Sequence, residues 1–162
     1  MPMTYNEFRE TAQDGDLLFL HLDPHNFLSR ITAFWTGSLL THAAFVFWYE
    51  GRLLVAESTT HGGSRIALAS EYRTRTIETI RAPKPWDTIV DNALARSGHS
   101  TYGWFSATYI GLRDWLRTHA DIKLPVIKGN KNKACSEYVA EVLGLSDADI
   151  TPQRLWETLN VG

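Results

Sequence analysis

Two consecutive apolar runs joined by a glycine turn constrain the fold of this chain more than any other feature. Residues 41–49 read THAAFVFWY and residues 52–59 read RLLVAEST, with Glu50-Gly51 between them. A period of two predicts strands, and a two-residue turn containing Gly, which tolerates positive φ, predicts a β-hairpin. Both faces of this hairpin carry apolar side chains. We therefore expect it to be a central element of a sheet that is covered on both sides.

The turn also predicts which residues of the two strands face each other. If Tyr49 pairs with Arg52, then Glu57 lies opposite Ala44 and diagonal to His42. In this register His42 and Glu57 lie on the same face of the sheet, whereas a slip of one residue would place them on opposite faces. The hairpin therefore predicts a histidine and a carboxylate close together.

The remaining elements predict one α+β domain over residues 1–162, with a central antiparallel sheet packed against helices. Further strands are predicted at residues 17–20, 65–68 and 76–81. Helices are predicted at residues 5–12, from Asp23-Pro24, from Asp87, at residues 104–119, from Ala134-Cys135-Ser136 to Gly144, and from Thr151-Pro152.

Charge and hydropathy exclude several classes of protein. The balance of 16 Lys+Arg against 18 Asp+Glu lacks the basic excess of a nucleic-acid binder. The longest apolar-leaning stretch, the seven residues 43–49, is far shorter than the roughly 20 residues that span a bilayer. We therefore expect no nucleic-acid partner and no integral membrane segment. The composition leaves the oligomeric state open.

The polar, acidic start of the chain has no apolar run that could form the core of a signal peptide. The one cysteine cannot form a disulfide within the chain, and a lone thiol fits a reducing compartment. We therefore expect a cytoplasmic protein. Delivery that needs no N-terminal signal, including delivery on a phage particle, stays open.

That cysteine stands at a position where a thiol can be activated. Cys135 opens a predicted helix, where unsatisfied N–H groups carry partial positive charge and favour the thiolate. The same groups, with the Ser136 N–H among them, can hold an oxyanion during acyl transfer. The alternative is a small buried hydrophobe in an apolar stripe with Val139 and Val142.

Cys135, His42 and Glu57 together supply a nucleophile, a base and an orienting acid. Taken singly, His42 is also compatible with a satisfied core histidine, and Glu57 with a strand-end charge that faces water. A zinc site formed by Cys135 and histidines has no CxxC, HxxxH or HExxH spacing to support it, so we predict no metal and no cofactor. The other histidines considered are interpreted as polar loop residues: His21, His25 and His61.

The order of several sequence blocks resembles the circularly permuted, YiiX/YebB-like branch of the NlpC/P60 superfamily of papain-fold cysteine hydrolases. The blocks are GDLLF at residues 15–19, SLLTHAAFVF with His42, LLVAES with Glu57, a segment with Tyr102, ACSEYVAEVLGL with Cys135, and TPQRLW. In the unpermuted enzymes the cysteine precedes the histidine. Here the histidine and its acid come first, as in the permuted branch.

The resemblance implies a papain-like fold in which the cysteine helix meets the sheet at the histidine strand. It implies Cys135 as nucleophile, His42 as general base, Glu57 as the residue that orients His42, and Tyr102 as a residue that lines the site. The implied activity is hydrolysis of amide bonds in peptides, notably cell-wall peptides, through an acyl-enzyme on a peptide or acyl-amide substrate. Two alternatives stay open, namely a lipid acyltransferase or phospholipase of the same fold, and a non-enzymatic binding or inhibitory module.

Overall fold

The computed structural model describes residues 1–59, 63–82, 84–96, 134–145 and 150–160. It shows an α+β arrangement with a five-stranded antiparallel sheet in the order β4-β3-β2-β1-β5. The strands are β1 Leu17–His21, β2 Leu40–Tyr49, β3 Arg52–Thr59, β4 Gly63–Leu68 and β5 Ile77–Ile80. The helices are α1 Tyr5–Thr11, α2 Phe27–Thr36, α3 Trp86–Arg96, α4 Cys135–Val142 and α5 Pro152–Asn160, and a 3-10 turn spans Ala69–Tyr72.

The predicted hairpin and its register are confirmed. Tyr49 faces Arg52, and the β2–β3 ladder continues to the pair of Phe45 and Ala56. Glu50 and Gly51 have φ values of 48° and 73°, the pair of positive values that a type I′ turn requires. This turn matches the right-handed twist of the strands, and β2 becomes the middle strand of the sheet.

The two faces of the sheet are covered by different parts of the chain. Alternate residues of β2, such as Phe45, pack with α4 and α5 in one apolar cluster. The intervening residues, such as Val46, pack with Phe8 of α1 in a second cluster. Each fully buried large side chain stabilises the fold by roughly 1.5–3 kcal/mol. A slip of one residue would exchange the two sets, so burial on both faces fixes the register.

The first turn of α2 differs from the prediction. The helix begins at Phe27 rather than at Asp23-Pro24. Asn26 Oδ1 accepts a hydrogen bond from the Ser29 N–H at 3.2 Å, and Asp23 Oδ1 accepts one from the His25 N–H at 2.9 Å. Asp23 therefore caps a local turn, and the second Asx residue, three positions later, starts the helix.

The other predicted helix starts agree more closely with the structure. Helix α3 begins at Trp86, so Asp87 lies in its first turn rather than at the cap. Helix α4 begins at Cys135, as predicted, and is followed by Gly144 with a φ of 67°. Helix α5 begins at Pro152, and Thr151 Oγ1 accepts from the Arg154 N–H at 3.3 Å.

Several predicted features lie outside the described residues. These are Tyr102, His61 and the helix at residues 104–119. His21 was interpreted as a loop residue, but it is the last residue of β1, where it faces Leu40 of β2. Among the helices that the structure describes, none is long and apolar enough to cross a membrane.

The turn at Glu50-Gly51 gives a test of the hairpin. A Cβ at Gly51 would meet nothing within 4 Å, so Gly51→Ala introduces only the cost of a positive φ in a residue with a side chain. We expect this substitution to lower the free energy of unfolding by about 1 kcal/mol in urea denaturation. Glu50→Asn is the matched control and should be neutral or stabilising, because Asn tolerates the left-handed region. A neutral Gly51→Ala together with a destabilising Glu50→Asn would contradict the type I′ turn.

Candidate functional site

Cys135 lies at the first position of α4, buried to 6% exposure. The cap position is occupied by Ala134, which has no side-chain acceptor, so it cannot satisfy the free N–H groups of the first turn. The Ala134 N–H itself donates to Glu137 Oε2 at 2.7 Å. The Ser136 N–H, also in this first turn, is one of the groups that lower the Cys135 pKa.

His42 and Glu57 form the predicted pair. Glu57 has no solvent exposure, and its Oε2 lies 2.7 Å from His42 Nε2. The other ring nitrogen, Nδ1, is thereby left for Cys135, with which His42 shares a side-chain hydrogen bond. The structure brings Cys135, His42 and Glu57 into one hydrogen-bonded chain.

This contact depends on where the β2–β3 ladder ends. Cys135 approaches from the face covered by α4, whereas strand alternation assigns His42, like Ala44, to the opposite face. The register between the strands runs only to Phe45 and Ala56, short of His42 and Glu57. Beyond that point the Ala43 N–H hydrogen-bonds to the Cys135 sulfur. The nucleophile and the histidine therefore meet at the open end of the hairpin.

Two residues that the sequence analysis missed hold the Glu57 carboxylate. Arg65 lies directly opposite Glu57 across the β3–β4 ladder, and its Nε donates to Glu57 Oε1 at 3.0 Å. Tyr72, in the 3-10 turn, donates its hydroxyl hydrogen to Glu57 Oε2, the oxygen that also contacts His42. The Tyr72 ring packs against the His42 ring with their centroids 5.8 Å apart. Arg65 was detectable from a β3–β4 register, but no local pattern points to Tyr72.

The charges of these groups support each other. Burial opposes the charged form of His42, but the Cys135 sulfur and the Glu57 carboxylate outweigh burial and raise the His42 pKa. Burial likewise opposes the thiolate, but the charge and hydrogen bond of His42 and the Ala43 and Ser136 N–H groups lower the Cys135 pKa. Both shifts favour the pair of thiolate and imidazolium over the pair of neutral groups.

The carboxylate remains charged in spite of its burial. Burial raises the Glu57 pKa, but hydrogen bonds from His42 and Tyr72 and the charges of His42 and Arg65 lower it overall. Burial and the Glu57 charge hold the pKa of Tyr72 above its usual value, so its hydroxyl stays protonated and remains a donor. Glu57 can therefore stabilise an imidazolium at neutral pH.

The arrangement has the parts of a nucleophilic site. It supplies a thiol with a lowered pKa, a histidine that can carry a proton, an acid that contacts the histidine, and helix N–H groups beside the sulfur. The Ser136 hydroxyl donates to the Ile150 carbonyl, so the N–H and not the side chain of Ser136 faces this chemistry. In the described part of the chain, no group of three or more His, Cys, Asp and Glu side chains is placed to hold a metal ion.

Comparison with known proteins identifies no family for this chain. A scan against protein-family models found no match, and a search of the curated proteins found none. Support for a function therefore comes from the arrangement of the chain's own side chains.

The hydroxyl of Tyr72 gives a test of the charge balance. Tyr72→Phe keeps the ring against His42 but removes a donor from Glu57 Oε2, so more of the negative charge is available to the imidazolium. We expect the His42 pKa to rise further, by up to about one unit, in an NMR titration of the ring. The exposed Tyr49 gives the matched control, since Tyr49→Phe should leave the titration unchanged. An unchanged or lower His42 pKa in Tyr72→Phe would refute the proposed competition.

Glu57 should also make stability depend on pH. Because its folded-state pKa is lowered, its contribution is present above the unfolded value of about 4.3 and is lost as the pH falls through the folded pKa. Glu57→Gln should therefore cost roughly 3 kcal/mol of unfolding free energy at pH 7 and much less at pH 3. Glu71→Gln, at a more exposed partner of Arg65, should cost at most about 1 kcal/mol. Equal losses at both pH values would show that the Glu57 charge is not stabilising.

Proposed function

We propose that this chain is a cysteine hydrolase of the amidase or peptidase type, which works through a Cys-His-Glu triad and an acyl-enzyme. The observation that carries the proposal is the hydrogen-bonded chain from Cys135 through His42 to the buried Glu57. A buried ionised carboxylate is expensive to maintain, and here it stabilises a charged histidine beside the chain's one thiol.

The proposed reaction begins with attack of the Cys135 thiolate on an amide carbonyl carbon. The carbonyl oxygen becomes an oxyanion, which the Ser136 N–H at the start of α4 is placed to stabilise. As the tetrahedral intermediate collapses, His42 gives its proton to the departing amine and the C–N bond breaks, leaving a thioester. Water then attacks the thioester while His42 takes a proton from it, and the carboxylic acid leaves as the thiolate is restored.

The packing of α4 supports a papain-like, permuted NlpC/P60 type of domain. Its first residue, Cys135, contacts the histidine strand, and the rest of the helix packs on β2 and β3. This is the arrangement that the order of the sequence blocks implies for that family. A peptide or acyl-amide substrate, with cell-wall-type peptides among the candidates, follows from the same resemblance.

The single thiol makes the proposal directly testable, because alkylation at cysteine can occur only at Cys135 and peptide mass spectrometry identifies that product. We expect iodoacetamide to alkylate the wild type rapidly at pH 6. His42→Ala should slow this reaction by about 10- to 100-fold, because a thiol with a pKa near 8.5 is almost fully protonated at that pH. His25→Ala, at a histidine in an exposed turn, is the matched control and should react like the wild type.

Substrate profiling completes the test. Wild type and Cys135→Ala are compared on peptide amides, peptidoglycan peptides and lipid esters in parallel, and we expect peptide amide hydrolysis that Cys135→Ala abolishes. Equal alkylation of wild type and His42→Ala at pH 6, or hydrolysis that persists in Cys135→Ala, would overturn the proposed function. Cleavage of lipid esters alone would instead assign the site to the lipid hydrolase alternative.

A further inference from the structure

A cleft of about 440 Å³ opens at the same end of the sheet as the triad. His42 faces Leu20 of β1, and Leu20 in turn faces Ile77 of β5, so these residues form one row across the sheet. The cleft is lined by the next residues of β1 and β5, His21 and Glu78. With strands about 4.8 Å apart, it lies on the order of 10 Å from the histidine. Its volume is within the range of small-ligand sites.

The cleft and the nucleophile lie on the same face of the sheet. Its outer wall is formed by α5, which packs with α4 over the face that includes Phe19 and Phe45. The Ser136 hydroxyl donates to the carbonyl of Ile150, which ties the start of α4 to the segment just before α5. The start of α4, with Cys135, and the helix wall of the cleft are therefore linked on one face of the sheet.

Each wall presents a carboxylate with one oxygen available. Glu78 Oε1 is 3.0 Å from His21 Nε2, and its side chain is 15% exposed. Glu157 Oε1, on the helix wall, accepts from Gln153 Nε2 at 2.9 Å. Within the described residues, the second carboxylate oxygen of neither Glu78 nor Glu157 has a hydrogen-bonding partner.

The charges of the lining favour a cation over an acyl chain. The two carboxylates are accompanied by one guanidinium, that of Arg154. An apolar chain in the cleft would remove water from these charged groups and offer no hydrogen bonds in return. A primary ammonium instead offers three donors and can contact carboxylates on both walls.

We propose that this cleft is the subsite for the part of the substrate adjacent to the scissile bond, and that it selects a segment with a free ammonium group. This inference rests on the proposed function, because it assigns the cleft to the substrate that Cys135 attacks. Glu78 and Glu157 are then specificity-determining residues. The chemical class of substrate becomes a peptide with a free amine, on a side chain or at a terminus, a few bonds from the cleaved amide.

Three chloroacetamides that differ only at the far end of a five-carbon chain test the proposal. One ends in a primary ammonium, one in a methyl group and one in a carboxylate. In each reaction the Cys135 sulfur displaces chloride and forms a thioether, and mass spectrometry gives the rate constant at pH 7. We expect the ammonium probe to react at least about threefold faster than the neutral probe, and the carboxylate probe to react slowest.

Variants of the two carboxylates distinguish an effect on the cleft from an effect on the reactivity of Cys135. Glu78→Gln and Glu157→Gln should each reduce the preference for the ammonium probe, with each probe's rate divided by the same variant's rate with the small, neutral iodoacetamide. Glu10→Gln, at an exposed carboxylate of α1 outside the cleft, is the matched control and should keep the full preference. Equal rates for the three probes, a fastest carboxylate probe, or a preference that survives both Gln variants would overturn the inference. Slow iodoacetamide alkylation of the wild type would instead count against the proposed function.

Discussion

The buried Glu57 carboxylate is the constraint on which the site depends. A charge with no solvent exposure is tolerated only where donors replace the lost water, and three side chains do so here. They come from β2, β4 and the 3-10 turn, so one carboxylate connects three separate segments of the chain. Tyr72 and Arg65 keep the carboxylate ionised and share its charge with His42, so the His42 pKa depends on all three contacts. The same contacts that make burial of Glu57 possible therefore also determine the state of the histidine.

The end of the β2–β3 ladder is where the His42–Glu57 pair meets the Cys135 thiol. A continuous antiparallel pair would separate the two faces of the sheet, with α4 on one side and His42 on the other. Since the register stops at Phe45 and Ala56, a backbone N–H that would otherwise face β3 bonds the Cys135 sulfur. Strand β2 is buried on both faces and so holds His42 on a rigid element. The end of its ladder with β3 is where His42 and Ala43 contact Cys135. The candidate cleft lies at this same end of the sheet, beyond β1.

Local sequence was sufficient where one local rule decided the structure. The Glu50-Gly51 turn predicted the register of the hairpin, which the ladder follows as far as Phe45 and Ala56, and the His42 and Glu57 side chains meet beyond that point. The start of α4 was predicted from an apolar stripe and its closing glycine. Local rules failed where two residues competed, as at α2, where Asn26 rather than Asp23 caps the helix. No local rule predicted the role of Tyr72, because its contact with Glu57 depends on how the chain folds back after β4.

Helix α4 lacks the side-chain cap that would stabilise its first turn. Thr4, Asn26 and Thr151 each accept a hydrogen bond at the start of another helix, an interaction that stabilises a helix by about 1 kcal/mol. A Ser, Thr, Asp or Asn at the position of Ala134 would provide the same stabilisation to α4. Its oxygen would, however, compete for the first-turn N–H groups, one of which bonds the Cys135 sulfur. An inert buried cysteine would gain nothing from a free helix start, whereas a thiolate and an oxyanion both require one. The missing cap therefore agrees with the nucleophilic role that we propose for Cys135.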